Sequence, residues 1–309
     1  MKYLVTGGSG FVGKRLCARL LGEGHEVNVL SRDPLRSRKL FAKEDQIKCF
    51  LWASPDKEIP NEALEGVSVV IHLAGEGVAN KRWSAAQKAR ISDSRVFGTR
   101  SVVSAIKKQE NKGSGPSVLI SASAIGYYGN RGDEELNEDS APASSFLAQV
   151  CRAWENEVNT IDLDARKVCV RIGVVLGTES GALSKLLPPF KAGLGGPVAS
   201  GKQWMSWIHV DDLVAMILHA ANTDSVEGAV NAVAPNPLRN ADFSKTLAGV
   251  LGRPCLFPVP AFAMKTLLGE MSAIVLDSQK VSSKKISDSG FNFSYPDLKT
   301  ALENLLDKK

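Results

Sequence analysis

The stretch Thr6-Gly7-Gly8-Ser9-Gly10-Phe11-Val12-Gly13 decides the fold of this chain. An apolar run over residues 3–6 precedes the glycines and is typical of a buried strand. A pattern with apolar residues on one helix face comes next, over Phe11–Gly22. A glycine-rich turn between a strand and a helix is the setting in which such a motif binds phosphate groups. The sequence therefore predicts a nucleotide-binding unit that begins at the N-terminus.

The three glycines with this spacing have separate roles. Gly7 permits the tight turn, Gly10 leaves room for a pyrophosphate beside the backbone, and Gly13 lets the helix pack closely on the sheet. The helix that starts at Phe11 and Val12 would present unpaired N–H groups and a positive partial charge to the phosphates. These five residues are therefore predicted to bind the cofactor.

The end of the second predicted strand indicates which dinucleotide binds. An NAD site usually places an Asp or Glu there, on the ribose 2′-hydroxyl. Here the strand ends at Ser31 and the next residue is Arg32. A guanidinium offers a planar, multi-donor cation that suits a 2′-phosphate, and the serine can add a hydroxyl. We interpret Asp33 as a cap or turn residue, so the sequence predicts NADP(H) as the cofactor.

Strands and helices alternate along the first half of the chain, which predicts an α/β, doubly wound parallel-sheet Rossmann fold. Beyond Gly173 the chain becomes rich in glycine and proline, which predicts a smaller interleaved C-terminal lobe. The expected organisation is an NADP-binding domain and a substrate lobe. The domain covers residues 1–175 and is rejoined by about 207–234, and the lobe covers 176–206 and 235–309.

Composition excludes several other kinds of site. The formal charge of +5 comes from scattered Lys and Arg, so we expect no nucleic-acid partner. The five cysteines form no C-x-x-C pair, and no His, Cys and carboxylate cluster has metal spacing, so no metal is expected. No apolar run approaches the roughly 20 residues of a membrane span. We expect a cytoplasmic protein, or an organellar one if a transit peptide is missing, with a small-molecule partner and the option of a homodimer.

Further motifs resemble the extended short-chain dehydrogenase/reductase superfamily. Besides the glycine spacing, they are His72-Leu73-Ala74-Gly75, Arg171-Ile172-Gly173-Val174-Val175-Leu176-Gly177 and Ile208-His209-Val210-Asp211-Asp212. A second set is similar to the atypical NAD-dependent epimerase/dehydratase-like subgroup called epimerase family proteins, which includes YfcH-type and SDR39U1-like proteins. That set contains Gly75-Glu76 with Arg82-Trp83, Ser94-Arg95, Ser121-Ala122-Ser123-Ala124 through Tyr127-Tyr128-Gly129, and Leu187-Pro188-Pro189-Phe190. The resemblance covers roughly residues 1–305.

The resemblance implies where the cofactor and the catalytic groups lie. The backbone of Leu73, Ala74 and Gly75 is expected to line the cofactor, and Arg171 is expected to contact it. Catalysis in the extended family uses a Ser or Thr and a Tyr-x-x-x-Lys pair on one helix face. The lysine lowers the pKa of the tyrosine and holds the nicotinamide ribose. Ser123 matches the serine of that set.

The tyrosine–lysine pair itself is replaced in this chain. Phe146 stands at the tyrosine position and Val150 at the lysine position, and neither side chain can transfer a proton. Three hypotheses remain. Tyr127, Tyr128 or Glu76 could supply the proton, since these residues follow strands at the edge where ligands bind. Alternatively, the protein binds NADP(H) without turnover as a sensor or scaffold, or water supplies the proton.

Several of these residues also have a structural interpretation. Tyr128 could simply pack beside a tight turn, and Glu76 with Arg95 could form a structural ion pair rather than contact a substrate. The glycine-rich and then aromatic segment 193–209 predicts either a substrate lid or ordinary lobe packing. Within it, His209 lies in an apolar strand and is expected to be a hydrogen-bonded core histidine.

Overall fold

A seven-stranded, entirely parallel sheet forms the centre of the computed structural model, which describes residues 1–41, 46–160 and 162–306. Within these ranges the strands are β1 (Lys2–Thr6), β2 (Glu26–Ser31), β3 (Ile47–Leu51), β4 (Val69–His72), β5 (Val118–Ala124), β6 (Glu135–Leu136), β7 (Arg166–Ile172), β8 (Val174–Leu176), β9 (Trp204–Met205), β10 (Trp207–His209), β11 (Gly228–Ala232), β12 (Leu238–Arg239) and β13 (Lys280–Val281).

Helices connect these strands and cover both faces of the sheet. Within the same ranges they are α1 (Phe11–Gly22), α2 (Pro34–Arg38), α3 (Ala85–Glu110), α4 (Phe146–Val158), α5 (Gly181–Lys191), α6 (Val210–Asn222), α7 (Asn240–Val250), α8 (Ala261–Leu268), α9 (Ala273–Leu276), α10 (Lys284–Asp288) and α11 (Leu298–Leu306). Short 3-10 helices cover Asn61–Ala63, Ile125–Tyr128 and Gly269–Ser272.

The strand order in the main sheet is β3-β2-β1-β4-β5-β7-β11. The chain runs outward from β1 to β3, returns to β4 beside β1, and then runs outward in the other direction. This reversal creates a crevice at the carboxyl ends of β1 and β4, the place where open α/β sheets bind ligands. The predicted doubly wound Rossmann fold is confirmed.

The two faces of the sheet bury separate cores, because side chains alternate along each strand. Val5 points into a core shared with α1 and α6, through Leu16 and Leu213. Leu4 points into a core shared with α3, through Ile106. Each of these side chains is completely buried, and full burial of a Leu, Ile or Val stabilises the fold by roughly 1.5–3 kcal/mol.

A third core belongs to the smaller lobe. It joins Leu183 of α5, Trp207 of β10, Phe243 of α7 and Leu302 of α11, each from a different part of the chain. Segments of the lobe alternate with segments of the main sheet, because β11 returns to pair with β7 while β10 pairs with β8. The expectation that residues 207–234 rejoin the Rossmann sheet therefore needs one correction. Residues 207–209 lie in a separate two-stranded ladder.

Two helices have other bounds than the sequence pattern predicts. The pattern predicts one continuous helix over residues 261–276 and another over 146–163. The structure divides the first into α8, a 3-10 turn and α9, because Gly269 adopts a positive φ of 61°, and it ends the second at Val158. Strand β3 and helix α2 were absent from the sequence predictions. Strand β3 lies at the edge of the sheet, where the sequence of a strand shows a weaker apolar pattern.

All five cysteines are free, and three of them are buried in different layers. Cys17 on α1 lies in the core beneath one face of the sheet, and Cys169 on β7 lies in the core beneath the other. Cys151 is on α4. Burial raises the pKa of all three thiols, to about 12 for Cys169 and about 11 for Cys151. These residues behave as small core side chains.

Candidate functional site

The glycine-rich loop after β1 has no room for larger residues at two of its three key positions. Gly7 has a φ of 70°, and a Cβ there would lie 2.9 Å from the backbone nitrogen of Ala74. A Cβ on Gly13 would lie 2.2 Å from the carbonyl oxygen of Gly7. A Cβ on Gly10 would meet only that same carbonyl, at 3.1 Å, so the rest of its surface is open. The loop therefore closes tightly inward and leaves its outer side accessible to a pyrophosphate.

The N-terminus of α1 is open to an anion. Gly10 is the N-cap and provides no side-chain hydrogen bond, and the first turn after Phe11 contains no acidic residue. The first N–H groups of a helix and its dipole both favour a negative charge at this position. The residues present thus fit the pyrophosphate of a dinucleotide.

Thr6 links the phosphate loop to the end of β4. Its Oγ1 accepts hydrogen bonds from the N–H groups of Leu73 at 3.1 Å and Ala74 at 3.0 Å, and it lies 2.7 Å from Nδ1 of His72. Because the oxygen accepts two bonds, its own proton goes to Nδ1, which fixes a neutral imidazole with hydrogen on Nε2. Burial, with the nearby positive charge of Arg95, lowers the pKa of His72 to about 4.

At the end of β2, Arg32 is exposed, and within the described ranges it makes no hydrogen bond or ion pair. Asp33 does what a cap residue does, because its Oδ1 accepts a hydrogen bond from the N–H of Arg36 at 3.0 Å. The cap interpretation is confirmed. The Ser31 hydroxyl lies 2.6 Å from that of Ser37 and accepts from the N–H of Asp33. The Arg32 guanidinium is thus exposed and available to a ligand here.

Beyond β4 the backbone turns past Gly75, which is exposed, and meets Arg95 of α3. Nη1 of this arginine donates to the carbonyl oxygen of Glu76 at 3.0 Å, whereas the Glu76 carboxylate accepts from Gln87 at 3.1 Å. Among the described residues no carboxylate forms an ion pair with Arg95. The interpretation of Glu76 and Arg95 as an ion pair is therefore wrong, because the contact is with the backbone.

A buried polar network lies behind this edge of the sheet. Ser123 donates to Glu155 at 2.6 Å, and Arg171 forms a two-point ion pair with the same carboxylate, both N–O distances being 2.9 Å. Arg171 also donates to the Tyr128 hydroxyl at 2.9 Å, and that hydroxyl donates to Asn231 at 2.7 Å. The network joins β5, β7, β11 and α4.

This network corrects the roles expected for three residues. The Tyr128 side chain is completely buried, and burial raises the pKa of its hydroxyl to about 12, so it packs beside the turn rather than donating protons to a ligand. Nε and both terminal nitrogens of Arg171 bind protein groups, and its side chain is 4% exposed, so it does not reach out to a cofactor. Ser123, 2% exposed, directs its hydroxyl inward to Glu155.

Aromatic packing occupies the position of the tyrosine that is replaced. The Phe146 ring contacts that of Trp83 edge to face, with centroids 5.1 Å apart, and Nζ of Lys88 lies 5.3 Å from the Phe146 ring. Val150 is buried. Tyr127 is partly exposed, and its ring stacks 3.6 Å from the Arg171 guanidinium. Of the four proposed catalytic residues, Tyr127 and Glu76 therefore remain partly open to a ligand.

The aromatic segment before α6 belongs to the packing of the lobe. Trp207 is completely buried and donates to the carbonyl oxygen of Asn236. The ring of His209 stacks 3.9 Å from that of Tyr295, and its Nδ1 accepts from the N–H of Asp211. The prediction of a hydrogen-bonded core histidine is confirmed. Of the two roles predicted for segment 193–209, Trp207 and His209 therefore have the packing role and not that of a substrate lid.

Sequence reasoning missed the residues that satisfy this network. Neither Glu155 nor Asn231 is assigned a role from the sequence. One signal was available: Glu155 follows Cys151 by one helical turn and so faces the sheet with it. A carboxylate at such a position implies a buried cation nearby, and Arg171 on β7 is that cation.

The parallel strand order, the crevice at β1 and β4, and the glycine loop that opens α1 define a dinucleotide-binding protein of the short-chain dehydrogenase/reductase type. The chain belongs to the NAD dependent epimerase/dehydratase family, whose model matches residues 3–232. A second model, a domain of unknown function (DUF1731), matches residues 259–305 in the smaller lobe.

Relatives and a solved structure agree over the whole length. The chain is 40% identical over 306 residues to the epimerase family protein SDR39U1 homolog, chloroplastic, of Arabidopsis thaliana, covering 99% of this chain and 87% of that one. It is 38% identical over 312 residues to the epimerase family protein YfhF of Bacillus subtilis, covering 99% and 98%. The crystal structure of human epimerase family protein SDR39U1 with NADPH superposes with a TM-score of 0.89 at 31% identity, covering 100% of both chains. The resemblance to epimerase family proteins is confirmed.

Membrane spans and metal clusters are both missing from the described residues. None of their helices combines the length and apolar character needed to cross a bilayer. They also bring no three His, Cys, Asp or Glu side chains together in a way that could hold a metal ion.

Proposed function

We propose that this protein binds NADP(H) and carries out oxidoreductase or epimerase-type hydride chemistry on a small molecule. The observation that carries the proposal is Arg32. It is an exposed cation without a protein partner in the described part of the chain, and it directly follows the strand whose end distinguishes NADP from NAD.

The surroundings of Arg32 support NADP(H) over NAD(H). The nearest carboxylate in sequence, Asp33, accepts a hydrogen bond from the backbone of α2, so it acts as a helix cap. A guanidinium can bind a 2′-phosphate through several charge-assisted hydrogen bonds. The human relative, 31% identical over its full length, was crystallised with NADPH, which supports the same cofactor here.

In this proposal the chain holds the cofactor mainly through its backbone. NADPH supplies a hydride when it is bound. The loop from Gly7 to Gly13 and the start of α1 hold the pyrophosphate, and residues 73–75 line the crevice beside it. Tyr127 and the Glu76 carboxylate are the partly exposed groups that could hold or accept a proton near this edge of the sheet.

A second candidate function is a regulator that binds NADP(H) without turnover. Phe146 favours it, because an aromatic ring packed against Trp83 replaces the group that would transfer the proton. The hydroxyls of Ser123 and Tyr128 also favour the regulator, since both donate hydrogen bonds within the buried network.

The first experiment is a fluorescence titration of the purified protein with NADPH and with NADH. We expect tight NADPH and weak NADH binding. Arg32→Ala should weaken NADPH by about ten- to a hundredfold, the worth of a charge-assisted contact, and leave NADH unchanged. Arg253→Ala, an exposed arginine in the smaller lobe, is the matched control. Equal loss of both cofactors in Arg32→Ala would remove the role given to this residue, and no binding at all would end the proposal.

A second experiment separates the enzyme from the regulator. NADPH absorbance at 340 nm is followed with a broad panel of carbonyl compounds, with Tyr127→Phe and Glu76→Gln tested against any active compound. Turnover that either substitution slows at least about a hundredfold supports the enzyme and identifies the proton-transfer group. If wild-type protein binds NADPH but oxidises it with no compound, the regulator is favoured.

A further inference from the structure

We propose that Arg95 is a positioning residue for the nicotinamide half of the cofactor. Its guanidinium would supply from α3 the fixed positive charge that a lysine on the helix equivalent to α4 supplies in the extended family. The inference rests on the proposed binding of NADP(H). It concerns a residue that the glycine loop and Arg32 do not contact.

Arg95 lies at the ligand-binding crevice. A Cβ placed on Gly75 would be 3.3 Å from Cζ of this arginine, so the guanidinium lies directly against the backbone that follows β4. The preceding residue, Ala74, abuts the phosphate loop at Gly7 and is hydrogen-bonded to Thr6. A ligand that leaves the glycine loop along β4 therefore reaches Arg95 next.

The same guanidinium also lies over α4. Its Cζ is 4.9 Å from the Trp154 ring. Trp154 follows Val150 by four residues and so lies on the same helix face, one turn further on. Val150 is the position where the resemblance places the lysine. Arg95 thus places a positive charge from the neighbouring helix α3 at the face of α4 where Val150 replaces the lysine.

Donors on Arg95 remain available to a ligand. Nη1 is used by the carbonyl oxygens of Glu76 and Ile91, at 3.0 and 3.1 Å. Nε and Nη2 have no protein acceptor among the described residues. They are not among the buried polar atoms left without a partner, so each keeps some solvent-accessible surface. Burial lowers the pKa of this guanidinium, a sign that its charge is poorly compensated.

Lys88 is a less suitable source of the charge. It is the other cation near Phe146, but its Nζ forms an ion pair with Glu270 of the smaller lobe. A paired ammonium offers a ligand less charge than a guanidinium with two open donors. The geometry therefore favours Arg95.

The test compares two ligands that share one end. NADPH reaches both halves of the crevice, whereas adenosine 2′,5′-bisphosphate carries the 2′-phosphate but has no nicotinamide. Both are titrated against wild type, Arg95→Met, Arg95→Lys and Arg100→Met. Arg100 is a matched control, because it is another arginine of α3 but pairs with Glu157 away from Gly75.

We expect Arg95→Met to weaken NADPH by about ten- to a hundredfold and to leave adenosine 2′,5′-bisphosphate within about twofold of wild type. Arg95→Lys should recover part of the loss, and Arg100→Met should change neither affinity. Unchanged binding of the bisphosphate also shows that the variant is folded.

Two results would overturn the inference and leave the proposed function standing. If Arg95→Met binds NADPH as wild type does, the arginine only braces residues 75–76. If both ligands weaken equally, its role is structural. If wild type does not bind NADPH, whether or not it binds the bisphosphate, the proposed function fails and the inference fails with it.

Discussion

Thr6 shows at the scale of a single residue how one hydroxyl can organise a ligand crevice. Its two accepted hydrogen bonds hold the backbone of residues 73 and 74, and its proton holds His72 in one tautomer. The geometry of the phosphate loop thus depends on an imidazole that stays neutral. That dependence makes the crevice sensitive to acid.

Acid should destabilise the protein through His72. The folded pKa is lowered from 6.5 to about 4, so between these pH values the unfolded chain binds a proton that the folded chain does not. The stability that comes from keeping His72 neutral is fully present above pH 6.5. It is lost as the pH falls to 4, so the unfolding free energy decreases by about 3 kcal/mol over this range. Urea unfolding at several pH values would measure it. His72→Gln should flatten this part of the profile relative to wild type, and parallel profiles would contradict the prediction.

The ion pair between Arg171 and Glu155 should be important for stability rather than for cofactor affinity. Arg171→Met leaves a carboxylate that is 13% exposed without its cation, and breaking a buried pair in this way costs about 3–5 kcal/mol. Lys284→Met, which breaks an exposed pair with Asp288, should cost about 1 kcal/mol or less. Chemical denaturation measures both. A small effect of Arg171→Met on stability, together with a large loss of NADPH affinity, would restore Arg171 to the cofactor site.

At the scale of elements, the conformation of the loop between β1 and α1 is determined by its closest interatomic contacts. Gly13→Ala would place a Cβ 2.2 Å from a backbone oxygen, so the loop must shift. We expect a loss of about 1–3 kcal/mol of unfolding free energy and at least about tenfold weaker NADPH binding. Gly22→Ala in the same helix meets nothing within 4 Å, and it should gain up to about 1 kcal/mol with unchanged affinity. Thermal unfolding and NADPH titration test the pair, and similar behaviour of both variants would contradict the prediction.

Elements with strong local signals could be predicted from the sequence. The bounds of α1 and the end of β2 at Ser31 match because apolar periodicity and glycine position determine them locally. The pairing of β10 with β8 could not be predicted, since three-residue strands carry no period and their partners are chosen by tertiary packing. The site divides in the same way. The phosphate loop and the cap at Asp33 are local features, whereas the Ser123–Glu155–Arg171 network depends on residues brought together by sheet order.

At the scale of the whole molecule, the two lobes are interwoven. The chain leaves the main sheet after β7, returns for α6 and β11, and then leaves again. Leu213 and Ile217 of α6 complete the core that α1 begins. The N-terminal domain therefore lacks part of its own core when it is separated from the rest of the chain. The expected cytoplasmic location and homodimer stay predictions at this scale.

Fragment 1–175 should accordingly fail to fold. It lacks β11, which covers the edge of β7, and α6, which covers one face of the sheet. We expect no cooperative urea transition by circular dichroism, whereas the full chain should give a single one. Co-expression of the fragment with residues 176–309 is the control for simple insolubility. A cooperative transition in the isolated fragment would show that the lobes are independent.

The buried cysteines can serve as natural reporters of local opening of the fold. Because Cys17 and Cys169 lie beneath opposite faces of the sheet, a thiol-specific reagent can reach each one only after that face has opened. Their raised pKa values keep both thiols unreactive until then. Equal labelling rates at the two sites would mean that the layers open together, and unequal rates would rank the layers by their local stability, without any engineered probe.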